Sequence, residues 1–269
     1  MNRIVERFAR LRQRGEKGLV IYIGAGDPDL EATRRLALAL DKAGADVLEL
    51  GIPFSDPLAD GPVNQLAAQR GLESGTTPPK VLETVRAIRR ESQVPIVFFV
   101  YFNLLHRYGL ERFIQEASGA GVDGLLVLDL PPEESGNYAA LMKASGLAPI
   151  YLLAPTTPED RVKGIVAQGE GFLYYVSREG VTGMQAKVSG TIGSMTDMIR
   201  RHTRLPIAIG FGISNPEQAR EVAAHGDAIV VGSAVVNQIA THGRSPDLVD
   251  RVSSFVLSLS QAIRPRGGA

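Results

Sequence analysis

The 269-residue chain carries 29 Lys and Arg against 29 Asp and Glu, a formal net charge of zero. That balance excludes the broad positive field that holds nucleic acid or an anionic membrane surface. With 44% hydrophobic residues and no cysteine, the chain reads as an ordinary soluble protein without disulfides, thiolate metal sites or a cysteine nucleophile.

The N-terminal segment MNRIVERFARLRQRGEKG is charged and helical, with Ile4, Val5, Phe8 and Leu11 along one side. It lacks the uninterrupted apolar core of a signal peptide, and no later run approaches the ~18–20 apolar residues of a membrane span. A cytoplasmic location is expected. Eight short β-rich runs then follow: 19–28, 45–53, 95–103, 123–132, 149–158, 171–180, 206–214 and 227–235. Most are continuous rather than alternating, as in parallel strands buried on both faces.

Between them lie amphipathic stretches. Thr33–Ala43, Val63–Glu73, Val81–Glu91 and Leu110–Ala120 are predicted helices. Thr157 is the expected N-cap of the next helix, with Pro158 in its first turn. Asn215-Pro216-Glu217 starts another in the same way. Further helices are expected from near Thr191 and from Ala234. Eight βα units in a chain of this length predict an α/β fold, a (β/α)8 TIM barrel, as a single domain over 1–269. The helix at 1–15 caps the barrel floor, and the tail at 264–269 is expected to fray. Extended loops follow strand two (FSDPLADGP) and strand six (SREGVTGMQAKVSG), on the C-terminal face where barrels carry their sites.

Pleating turns Val47, Glu49 and Gly51 one way and Leu48, Leu50 and Ile52 the other. Bulky apolar residues suit the helix layer, which leaves Glu49 pointing into the barrel. Burial there raises a carboxyl pKa and makes a general acid, unless a structural partner satisfies it. Asp56 and Asp60 lie in the following loop, stiffened by Pro53, Pro57 and Pro62. Spacing alone reads both as turn residues, but Asp60 sits above an inward glutamate. Gly210 and Gly212 close strand seven; Gly232 and Ser233 close strand eight before a helix. Backbone N–H groups there suit a phosphate. The four histidines (His106, His202, His225, His242) have no ligand spacing, and no motif implies a metal or an organic cofactor. On these residues alone, another phosphate-binding barrel enzyme and a non-catalytic activator of a partner both stay open.

The run LELGIPFSDPLADGP (48–62) resembles the hallmark segment of the tryptophan synthase alpha chain family. GDP at 26–28, LLVLDLPPEES (125–135), YVSREGVTG (175–183) and GFGIS (210–214) resemble it at matching intervals. The resemblance implies a lyase that cleaves indole-3-glycerol phosphate to indole and glyceraldehyde 3-phosphate, with no cofactor. It also implies a beta-subunit partner in an α2β2 heterotetramer, to which indole is passed. It makes Glu49 the acid–base residue and puts Asp60 at the indole N–H. Tyr174 would pack beside Glu49, and Thr182 would close towards Asp60. Gly183, Gly212, Gly232 and Ser233 would hold phosphate, while Tyr22, Val100, Tyr101 and Leu126 would line the indole pocket. The segment VNQLAAQRG after DGP departs from the family pattern, so no polar contact is carried onto Ala68.

Overall fold

Continuous Val, Ile and Leu runs are unsuited to a sheet with one wet face. In the computed structural model of the chain they pair instead into a closed parallel barrel. The structure describes residues 1–176 and 185–264, the side chains of 185–191 excepted. Its strands are β1 (Gly18–Gly24), β2 (Val47–Gly51), β3 (Ile96–Val100), β4 (Gly124–Val127), β5 (Ala148–Leu153), β6 (Leu173–Val176), β7 (Ile207–Gly210) and β8 (Ala228–Val231). Each pairs with the next, and β8 returns to β1. The expected (β/α)8 barrel is therefore observed. Its strands are shorter than the apolar runs because each run continues into the loop that follows.

The helices are α1 (Arg3–Arg14), α2 (Leu30–Lys42), α3 (Pro62–Glu73), α4 (Pro78–Arg89), α5 (Phe102–Tyr108) and α6 (Leu110–Ala120). They continue with α7 (Tyr138–Ala144), α8 (Glu159–Gln168), α9 (Gln185–Arg200), α10 (Pro216–Ala223), α11 (Ser233–His242) and α12 (Leu248–Ile263). Among the described residues no helix is long and apolar enough to cross a membrane. Asn215 caps α10 as expected, its side chain accepting from the Gln218 N–H. The start of α8 differs: Pro158 is the N-cap, and the Thr157 hydroxyl accepts from the Ala154 N–H, closing the preceding turn. α9 begins at Gln185 rather than near Thr191, so the sixth loop is shorter than expected. Its residues 177–184 lie outside the described residues.

Register fixes which side chains face inward. Val20, Tyr22 and Gly24 stand beside Val47, Glu49 and Gly51, and Glu49 and Gly51 in turn stand beside Val97 and Phe99. Val47, Val20, Val97, Leu126, Ile150, Phe172, Ala208 and Val230 fill the barrel interior, while Leu48 and Leu50 pack outward against the helices. The alternation expected for β2 is therefore the observed one. α1 closes the floor: Ile4, Phe8 and Leu11 join the interior packing, with the Phe8 and Phe172 rings 5.7 Å apart. Val5, one position off that stripe, is 44% exposed.

A repeated polar device holds the floor together. Asp46, Asp123 and Asp227 each accept from the backbone N–H that begins a neighbouring strand: Leu19, Ile96 and Ile207. Arginines then pair with these carboxylates. Arg7 and Arg264 meet Asp46, Arg3 and Arg89 meet Asp123, and Arg200 meets Asp227. Two of the five come from α1, so the helix is clamped at its edge as well as packed at its centre. The expectation of a frayed tail from 264 needs correction. Arg264 donates to the Lys17 carbonyl at 2.7 Å and pairs with Asp46; residues 265–269 lie outside the described residues.

Phe8→Ala removes a buried ring from this floor and leaves a cavity. It should destabilise the protein by about 3–5 kcal/mol, read as a lowered denaturant midpoint.

Candidate active site

The mouth of the barrel opposite α1 opens into a cavity of about 300 Å³. Tyr22, Glu49, Asn64, Phe99 and Tyr174 line it together with Gly210, Gly212, Gly232 and Ser233. Glu49 is fully buried, and neither carboxylate oxygen has a hydrogen-bond partner. Its neighbours on the inward face below are valines. Charge there has no compensation, and burial pushes the Glu49 pKa up to about 8.

Two phenols flank that carboxyl. Tyr22 is the cross-strand neighbour of Glu49 and meets Phe99 edge-on, ring centroids 4.9 Å apart. A Cβ at Gly51 would collide with the Tyr22 hydroxyl, and one at Gly210 would lie 2.8 Å from the Tyr174 hydroxyl. Glycine at these two strand ends is what lets the rings lie across the barrel mouth. Burial, then the charges of both Glu49 and Asp60, raise the two phenols well above their ordinary values. Both carboxylates are thus within electrostatic reach of both rings.

Asp60 occupies a different environment. The Tyr101 hydroxyl donates to its Oδ2 at 2.8 Å, and the Asn64 amide donates to its Oδ1 at 3.4 Å. Burial raises the Asp60 pKa, while these two donors pull it back. The Ala59 N–H donates to the Tyr101 oxygen, and the Phe54 ring packs on Tyr101 at 5.2 Å. The acidic loop is therefore tethered to the end of β3. Behind it, Arg70 of α3 makes a two-pronged contact with buried Asp27 at 2.7 and 2.8 Å, fixing α3 beside the β1 loop.

The glycine-lined wall of the cavity offers backbone donors. α11 begins at Ser233 immediately after Gly232, so its first N–H groups have no intrahelical partner. Gly212 adopts φ +64°, a left-handed conformation that a side chain would strain.

Of the expected site residues, Tyr22, Glu49, Tyr174, Gly212, Gly232 and Ser233 line this cavity, and Asp60 hydrogen-bonds to Asn64 in its wall. Val100 needs correction: it packs outward with the helix-facing core. Phe99 takes the inward position that had been assigned to Val100, being level with Gly51 across β2. The run IVFFV is apolar at every position, so its parity was invisible until the register was known. Leu126 faces inward but belongs to the packing beneath the cavity. Tyr101 lies against the Asp60 loop rather than along the cavity wall. Thr182 and Gly183 lie outside the described residues. Asn64 and Phe211, both lining the cavity, had been overlooked; Asn64 is the third residue of the helix that follows the Asp60 loop, and that placement would have pointed to it.

The sequence model of the family described as "Tryptophan synthase alpha chain" matches residues 8–264. The chain belongs to the tryptophan synthase alpha chain family. The Geotalea daltonii tryptophan synthase alpha chain is 48% identical over 98% of this chain and 99% of its own length. The Opitutus terrae alpha chain is 50% identical over 93% and 94%. Among solved structures, the alpha chain from Legionella pneumophila subsp. pneumophila superposes with a TM-score of 0.91 at 37% identity, covering 100% of both chains. A Mycobacterium tuberculosis tryptophan synthase structure, in its aminoacrylate-bound form, superposes at 0.86 with 27% identity, covering 98% of this chain and 100% of that one. As an alpha chain, the protein is a carbon–carbon lyase that performs the alpha reaction of tryptophan biosynthesis.

Burial makes Glu49 sensitive to pH in the folded state. An exposed carboxyl in the unfolded chain ionises near its ordinary value, whereas folded Glu49 holds its proton to about pH 8. Glu49 therefore costs stability increasingly as pH rises from the ordinary carboxylate range to about 8, and no more beyond it. Glu49→Gln should melt above the wild type at pH 8.5, and the gap should close towards pH 4.5. A gap constant across that range would contradict an unpartnered, protonated Glu49.

Proposed function

We propose that Glu49 and Asp60 perform the aldol cleavage of indole-3-glycerol phosphate between them. The observation that carries this is the buried, partnerless Glu49 carboxyl in a cavity that glycines and a helix N-terminus also line. The substrate spans the same two needs. Its phosphate takes the N–H groups at Gly212, Gly232 and Ser233, together with Gly183 from the sixth loop. Its indole then lies among Tyr22, Phe99 and Tyr174, with Tyr101 and Leu126 behind them.

Protonated Glu49 gives its proton to indole C3, which becomes tetrahedral and leaves positive charge at the ring nitrogen. Asp60, kept anionic by Tyr101 and Asn64, stabilises that N–H or takes its proton. The ionised Glu49 then removes the proton of the hydroxyl on the adjoining carbon. The C–C bond breaks, its electron pair returns to the ring, and the oxygen becomes the aldehyde of glyceraldehyde 3-phosphate. Glu49 ends as it began. Thr182 would close the sixth loop towards Asp60 and exclude water.

Leu58, next to the Asp60 loop's turn, is 91% exposed at the barrel mouth. An exposed apolar side chain at that place suits a partner surface. We assign it to a beta subunit in an α2β2 assembly in the cytoplasm, with indole passing from this mouth into the partner.

Glu49→Gln should leave the fold intact and lower indole release by at least ~1,000-fold, since one group serves two proton transfers. Turnover retained within tenfold would refute the assignment. In the wild type, kcat/KM for indole release should fall above pH about 8, as Glu49 loses its proton. Tyr101→Phe removes a donor that holds the Asp60 pKa down, so the acidic limb of the same profile should move to higher pH. Adding a beta subunit should raise indole formation, measured as tryptophan appearing when serine is supplied.

A further inference from the structure

Asn64 is the third residue of α3, whose N-cap, Gly61, is made without a side-chain hydrogen bond. Its immediate neighbours in sequence are apolar or exposed, and a leucine would fit the helix pattern equally well. The side chain is nevertheless turned to the cavity that Glu49, Tyr22 and Phe99 also line. The amide nitrogen donates to Asp60 Oδ1. That bond fixes the amide's orientation, because the reverse would set its oxygen against a carboxylate oxygen. The oxygen Oδ1 is then left buried with no hydrogen-bond partner.

A buried amide acceptor without a donor costs roughly 1–3 kcal/mol. Two of the described side chains that line the cavity carry such oxygens: Glu49, already given a proton-transfer role, and Asn64. We infer that Asn64 is a substrate-binding residue whose Oδ1 accepts a hydrogen bond from a hydroxyl of the substrate's glyceryl chain. The inference rests on the reading of the cavity given above. In that reading Asp60 takes the ring N–H, and the phosphate takes the backbone donors. Glu49 takes the proton of the hydroxyl next to the ring, so the protic group left on the substrate is its second glyceryl hydroxyl. Asn64 lines the same cavity as Glu49 and contacts Asp60 through its amide nitrogen. It would therefore read the hydroxylated chain, while its nitrogen steadies the carboxylate that reads the ring.

The test compares a substrate that has the hydroxyls with an analogue that lacks them. Indole release from indole-3-glycerol phosphate is measured for the full-length wild type, Asn64→Leu and Asn64→Asp. Inhibition by 3-(indol-3-yl)propyl phosphate, which has the ring and phosphate but no hydroxyl, is measured alongside. Asn64→Leu should lower kcat/KM by about tenfold or more, since it removes the acceptor for the substrate hydroxyl together with the donor to Asp60. Its inhibition constant for the analogue should change several-fold less than kcat/KM, because only the lost donor to Asp60 bears on a ligand without hydroxyls. Asn64→Asp keeps an acceptor of the same shape and should retain the preference for hydroxylated substrate over the analogue, whatever its added charge does to turnover. The inference is overturned if Asn64→Leu cleaves substrate as well as the wild type. It is equally overturned if that variant loses substrate and analogue in parallel, which marks a packing role, or if Asn64→Asp loses the preference. A wild-type chain that releases no indole would instead remove the underlying reading of the site.

Discussion

A carboxyl group with no hydrogen-bond donor in reach is tolerated inside a protein only while it keeps its proton. Glu49 is held in that condition by barrel closure. Val47 lies below it on the same strand, Val97 and Tyr22 flank it on the neighbouring strands, and Gly51 leaves the side above it open. None of these gives it a hydrogen bond. The group that most resists ionisation therefore sits at the edge of the one space where an acid is useful. The packing that makes the barrel interior dry also sets the proton affinity of its acid.

Asp60 depends on the opposite treatment. It is carried by a loop rather than a strand, and two side-chain donors reach its oxygens, Tyr101 from just after β3 and Asn64 from α3. Those donors favour the anion, while burial opposes it. Two residues of the same chemistry are separated in proton affinity by what surrounds them, so one can act as an acid while the other remains charged. In the proposed reading the substrate's phosphate needs no charged side chain, because the start of α11 and the glycine turns present backbone N–H groups.

The site was unequally legible. Glu49 could be placed because a single charged residue interrupts an apolar strand, and a two-residue period then fixes its side. The β3 run has no such marker, so the inward position went to Val100 when Phe99 holds it. Tyr101 was taken for a pocket wall, yet its hydroxyl is spent on Asp60, 41 residues away in the chain. Arg264 was taken for the start of a loose tail, yet it pairs with Asp46, 218 residues away. Contacts of that range leave no periodic signature.

Local pattern was enough to determine the order of strands and helices, the closed barrel, the inward glutamate and the family. Each follows from hydrophobic period, turn chemistry or a long contiguous motif, all of which act over a few residues. Only the tertiary structure decided that Phe99 rather than Val100 faces the cavity, that Tyr101 and Asn64 hold Asp60, and that α1 and Arg264 lock the floor. These depend on register around a closed sheet, where the position of one strand is set by its neighbours and by the last strand returning to the first.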